Sequence, residues 1–174
     1  MLPEGFTPAP RETEADKSGD IQTLDRQLKT RVYLTIDYIH NDDKGIAKAS
    51  LNSNGWQLPS VTLNENETML EGAKRAIKLI AGESLTLRCF SNCPMGVDVV
   101  EYTEEEKQQH GGTYFGEKTF YMRVQHEDGD VKKNTMDDKF EDWGWLSREE
   151  MTKKAMDNKG EEAAMFYKYM LWDV

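Results

Sequence analysis

Residues 56–83 read WQLPSVTLNENETMLEGAKRAIKLIAGE, and the fold turns on this stretch. Asn64-Glu65-Asn66-Glu67 predicts a helix start, with capping amides followed by acid in the first turn. The helix is expected to run to about Ala81, where Gly82 stops it. Met69, Ala73, Ile77 and Ile80 are spaced by four, four and three, which places them on one face. Glu67 and Arg75 lie eight apart, about two helical turns, so a direct pair between them is not expected.

Around this helix the chain alternates strands and helices. Residues 22–30 (QTLDRQLKT) suggest a short helix with Leu24 and Leu28 on one face. In residues 31–39 (RVYLTIDYI), Val32, Leu34 and Ile36 alternate with Tyr33, Thr35 and Asp37, the period of a half-buried strand. A turn at residues 41–45 leads to a second strand within residues 46–58, broken at 52–55. Three strand-like segments follow the helix, at 84–90, 97–102 and 118–126, the last with Phe120, Met122 and Val124 on one side. Residues 127–130 are expected to form a turn. DWGWL at 142–146 reads as a strand with Trp143 and Trp145 on the same side, and Ser147-x-x-Glu150 is a capping box opening a further helix. The last helix spans about residues 160–172, and its near-continuous apolar surface must be buried on its own sheet or against another subunit. No repeat is visible. The class is α/β or α+β with a mixed sheet.

Composition bounds the function. The 174 residues suit one domain, or one domain with a tail, and need no disulfide or metal to hold a core. With 32 acidic and 22 basic residues the net charge is −10, which argues against a surface that grips phosphates throughout but leaves room for a local basic patch. No stretch approaches the ~20 apolar residues of a membrane span. The only cysteines, Cys89 and Cys93, exclude a disulfide scaffold, and His40, His110 and His126 stand at no zinc-ligand spacing from them. Residues 1–20 carry Pro3, Pro8 and Pro10 and read as an extended arm. They are neither a secretory signal nor a transit peptide, so an organelle presequence, if there is one, is absent from this stretch or already removed.

The frame of residues 56–83 resembles the Nudix box, the strand-loop-helix-loop signature of pyrophosphate-cleaving hydrolases. Leu58-Pro59, Glu67, Arg75, Ile77 and Gly82 fall on its Leu-Pro, Glu, Arg, aliphatic and Gly positions. The metal-binding acids do not follow. Ala76, Leu79 and Ile80 stand where the signature has glutamates, and Ser60 and Val61 stand where it has glycines. Mg²⁺ beside a pyrophosphate needs hard oxygen ligands, and these aliphatic side chains have none. The resemblance therefore implies a Nudix-type α/β/α sandwich without catalytic, cofactor or metal residues.

Further pieces in order sharpen the likeness. Thr13-Glu14-Ala15-Asp16, Arg26-Gln27-Leu28, Tyr33-Leu34, the Trp56-x-Leu58-Pro59 step, Asn92-Cys93-Pro94-Met95-Gly96 and Gly116-x-Lys118-x-Phe120-Tyr121 together resemble the Nudix-fold proteins of the mitochondrial large ribosomal subunit, the large-subunit protein forty-six family. The resemblance spans residue 13 to the C-terminus. It implies an arm with a short helix at 1–30 and a Nudix-like domain at 31–174. It also implies a structural role in the mitochondrial matrix, at the central protuberance, with other large-subunit proteins as partners in a heteromeric assembly and limited rRNA contact. The acidic balance and residues 104–109 depart from the family's pattern, and the part that often precedes its Thr-Glu-Ala-Asp arm is short or missing. The alternative is an active or ligand-binding Nudix domain for nucleoside diphosphate-linked compounds.

Other features have two readings each. Glu104-Glu105-Glu106 is a solvated acidic loop or a metal-binding one. Lys132-Lys133 and Lys153-Lys154 are surface lysines or phosphate contacts. Tyr33, Trp56, Trp143 and Trp145 are core packing or base-stacking rings.

Overall fold

The computed structural model describes residues 10–38, 55–131 and 140–172. Its centre is a three-stranded sheet in the order β2-β1-β7, formed by Val32–Tyr38 (β1), Gly55–Gln57 (β2) and Phe140–Ser147 (β7). Both pairings are antiparallel. The alternation expected in residues 31–39 sets its two faces. Leu34 lies opposite Trp145 and Ile36 opposite Trp143, so the two tryptophans and the aliphatic side chains share one surface. Tyr33 opposite Leu146, together with Trp56, makes the other.

Helices cover both faces. Met69–Ala81 (α2) delivers Ile80 to the Ile36–Trp143–Trp145 side. Arg148–Lys159 (α4) and Glu161–Met170 (α5) pack Met151, Ala155, Ala163, Ala164, Tyr167 and Met170 against Leu146 and Trp56. Helix α4 opens on the expected capping box, in which Ser147 accepts from the Glu150 N–H and Glu150 accepts from the Ser147 N–H.

Two smaller sheets complete the β structure. Thr86–Cys89 (β3) pairs with Val124–Asp128 (β6), and Gly96–Glu101 (β4) pairs with Gly116–Tyr121 (β5), again antiparallel. Among the described residues every strand pair is antiparallel, which corrects the mixed sheet expected from the sequence. Parallel neighbours need a long crossover, and α2, the long helix between strands, joins β2 and β3, which lie in separate sheets. The single strand expected at 118–126 is two strands, because β5 and β6 serve different partners on either side of Met122 and Arg123.

The N-terminal segment departs most from expectation. Residues 22–30 form bends and turns, not a helix. The segment is seated on the open edge of β7 from Ile21 onward, where the Ile21 carbonyl accepts the Trp145 N–H at 2.7 Å. Arg26 donates to the Trp145 carbonyl, so both backbone groups of that edge residue are satisfied. Before this edge segment, Glu14–Ser18 forms a short helix (α1) capped by Thr13. The Gln27 N–H donates to Asp16 at 2.8 Å and Thr13 Oγ1 to the Asp25 carbonyl at 2.6 Å, so residues 13–27 are knitted together rather than extended.

Candidate functional site

The Nudix-like frame occupies α2 and the loop that leads into it. Helix α2 is capped by Thr68, not by the amides at 64–66. Thr68 Oγ1 accepts from the Glu71 N–H while Glu71 Oε2 accepts from the Thr68 N–H, a reciprocal capping box. Asn66 instead sits at φ +65, a left-handed turn that Asn tolerates. Glu67 therefore lies outside the helix and folds back over it. Its carboxylate takes two bonds from Arg75, Nε to Oε1 at 2.8 Å and Nη2 to Oε2 at 2.7 Å, which overturns the expectation that the two do not pair. The Asn64 N–H donates to Oε2 at 2.8 Å, and Arg75 Nη2 reaches the Thr62 carbonyl at 2.8 Å. Hydrogen bonds from Arg75, then from the Asn64 backbone, hold the Glu67 carboxyl down at about 2. This carboxylate is thus committed to closing the 62–68 loop onto α2.

The three positions that carry glutamates in the Nudix signature separate in space. Ala76 and Ile80 are buried, at 3% and 2% exposure, while Leu79 is 54% exposed. The buried stripe of α2 is Gly72, Ala76 and Ile80, with Ala81, one position round from the expected face. Two of the three positions now serve as core packing. A metal beside α2 would meet methyl groups there.

A cleft of about 580 Å³ opens elsewhere, at the ends of β1, β2 and β7 beside α4. It is lined by Asp37, Trp56, Glu141, Lys154, Asp157 and Asn158, among others, and by no residue of α2. Burial, then repulsion from Glu141 and Asp142, raises the Asp37 carboxyl, with Lys154 and Lys159 opposing. Burial pushes the Lys159 amine down to about 8, although Asp37 favours its charged form. The groups offset one another, and among the described residues no cluster of acids, histidines and cysteines is placed to hold a metal ion.

The remaining candidates resolve individually. Residues 104–109 are a short helix, Glu104–Gln109 (α3), capped by Thr103, not a loop. Trp56, Trp143 and Trp145 are buried core, and Lys154 lies 4.0 Å from the Trp56 ring centre. Tyr33 is half-buried with its hydroxyl engaged by Trp172. Lys153 is exposed, whereas Lys132 and Lys133, with His40 and residues 39–54, lie outside the described residues. Cys89 and Cys93 are free thiols. No described helix is long and apolar enough to cross a membrane.

What stands out instead is exposed apolar surface. Strands β4 and β5 turn Val97, Val99 and Phe120 to solvent, with Val97 directly opposite Phe120. Helix α5 buries one side and leaves Met165 and Tyr169 exposed, and Trp172 follows it. The apolar C-terminal helix is thus buried on its own sheet along one face only. Exposed apolar side chains of this kind are suited to packing against another molecule.

No protein-family model matches the chain. Over 148 residues, 83% of its length, the chain is 29% identical to the large ribosomal subunit protein mL46 of Neurospora crassa. The chain spans 37% of the length of that protein.

Proposed function

We propose that the chain is a non-catalytic, Nudix-fold constituent of the mitochondrial large ribosomal subunit. The likeness to mL46 across most of the chain carries this reading. Two structural features support it. The Nudix-frame positions Ala76 and Ile80 are packing residues, and the one frame carboxylate, Glu67, is tied up by Arg75. The apolar side chains left open on β4, β5 and α5 are of the type that an assembly covers.

In this reading the chain resides in the mitochondrial matrix, at the central protuberance. Its partners are mainly other large-subunit proteins, and its rRNA contact is local. The net charge of −10 suits burial against basic protein neighbours. The test is sedimentation of a salt-washed mitochondrial lysate, following the chain by mass spectrometry. Co-migration with the large subunit is the expected result. Recovery only in the light fractions, with EDTA-sensitive release of phosphate from nucleoside diphosphate-linked compounds, would replace it with the hydrolase reading.

A further inference from the structure

Trp172 is fixed to the domain by its backbone while its ring stays in solvent. The Tyr33 hydroxyl accepts the Trp172 N–H at 2.9 Å and donates to the Trp172 carbonyl at 2.6 Å. Leu171 before it is buried, yet Trp172 is 54% exposed. Two guanidinium groups lie against this ring, Arg123 with Cζ 4.8 Å from its centroid and Arg31 with Cζ at 5.8 Å. Arg123 also lies 5.9 Å from the ring of Phe90, itself 57% exposed. Four segments distant in sequence thus build one run: Phe90, Arg123, Trp172, Arg31.

Arg26, Arg75 and Arg88 have carboxylate partners in Glu150, Glu67 and Glu127. Among the described residues, Arg31 and Arg123 have none. A guanidinium lying on a ring uses its flat face there and keeps its in-plane N–H donors for an anion, which suits a phosphate held by two bonds. Exposed aromatic rings beside such donors offer stacking surfaces for bases. An acidic peptide satisfies the arginines but leaves the rings of Phe90 and Trp172 without a partner.

We propose that the Phe90–Arg123–Trp172–Arg31 surface binds single-stranded RNA, with the guanidiniums on phosphates and a base against an exposed ring. This deepens the ribosomal reading, on which it rests for the source of the RNA. The experiment is fluorescence anisotropy of the full chain with a labelled twelve-nucleotide oligo(A) RNA across a salt series. The variants are Arg31→Gln with Arg123→Gln, Trp172→Leu, and Lys78→Gln, an exposed lysine on α2, as a control away from this surface, each checked for an unchanged melting temperature.

Loss of both arginines is expected to reduce the slope of log affinity against log salt by about 1.4, for two phosphates. Loss of the indole is expected to weaken binding about fivefold or more. The control should bind as the parent does. Equal affinity and slope in all variants would overturn the proposal. So would an absence of RNA binding together with arginine-dependent binding of polyglutamate, which would assign the surface to an acidic protein. The ribosomal reading fails separately. A chain found only in light gradient fractions, but still binding RNA through these residues, would sink that reading and keep this one.

Discussion

Glu67 is the residue whose chemistry is most altered by the fold. Its carboxyl is held at about 2 by hydrogen bonds from Arg75 and the Asn64 backbone, against an ordinary value of 4.5. A depressed carboxylate contributes stability that is fully present above 4.5 and is lost as the pH falls toward 2. Acid titration of the parent should therefore show a loss of stability across that window, and Glu67→Gln should flatten it. Thermal melts at pH 5, 4, 3 and 2 check this, and superimposable pH profiles would refute it. The Nudix-frame positions allow a sharper contrast. Restoring an acid at Ile80 places a carboxylate among Ile36, Trp143 and Trp145, and should cost about 3–4 kcal/mol. Leu79→Glu, at an exposed position one residue away, should change stability by no more than about 0.5 kcal/mol. Urea unfolding of both variants is the measurement, and a tolerated Ile80→Glu would mean that the acid position is not core.

Among the elements, the seating of the N-terminal segment on β7 depends on few contacts, and these are long in sequence. Arg26 Nη2 meets Glu150 Oε1 at 2.6 Å and Nη1 meets Oε2 at 2.9 Å, across a separation of 124 residues. Burial pushes the Glu150 carboxyl up, but bonds from Arg26 and from the Ser147 backbone outweigh this and leave it lowered. The pair thus joins the edge segment to the capping box of α4. Arg26→Leu strands the carboxylate and the Trp145 carbonyl. Because Glu150 keeps some water access, the expected loss is about 2–3 kcal/mol, below that of a fully buried pair. Chemical denaturation checks this, and a loss under about 0.5 kcal/mol would show that the pair is not holding the edge. Gly144 is the other determinant, because a Cβ there would sit 2.7 Å from Ile21 Cδ1. Gly144→Val should displace Ile21 and expose residues 21–26 to faster hydrogen exchange, and unchanged protection would count against this seating.

These contacts show where the sequence was readable. Strand β1, Trp143 and Trp145 on β7, the Ser147 box and the Gly82 stop were legible because each is local: a period of two, a spacing of three, a glycine at φ +68. The edge segment was not. The Leu24 and Leu28 spacing favoured a helix, and the free edge of β7, 119 residues away, offered Arg26 and the Ile21 backbone better partners. The Glu67–Arg75 pair was missed for a related reason. A one-turn shift in the helix start, from Asn64 to the reciprocal Thr68–Glu71 cap, took Glu67 off the helix and made the ion pair possible. The Phe90–Arg123–Trp172–Arg31 surface had no local signal at all, since its members share neither a segment nor a period.

For the whole molecule, charge and apolar surface make separable demands. A chain of net charge −10 is repelled by RNA except where arginines stand uncompensated, so two phosphate contacts can supply only a small, salt-sensitive part of its attachment. With single-stranded RNA that part weakens about 25-fold between 50 and 500 mM salt. Burial of Val97, Val99, Phe120, Met165 and Tyr169 against protein neighbours carries no such penalty, because apolar association does not depend on released counterions. Under the proposed function, a chain held mainly by these side chains should stay on the large subunit through a 500 mM KCl wash. The Arg31→Gln, Arg123→Gln double variant should co-sediment as the parent does, even where its affinity for free RNA has fallen. Release of the parent at that salt would mean that electrostatic contacts dominate, and the exposed faces of β4, β5 and α5 would then need another occupant.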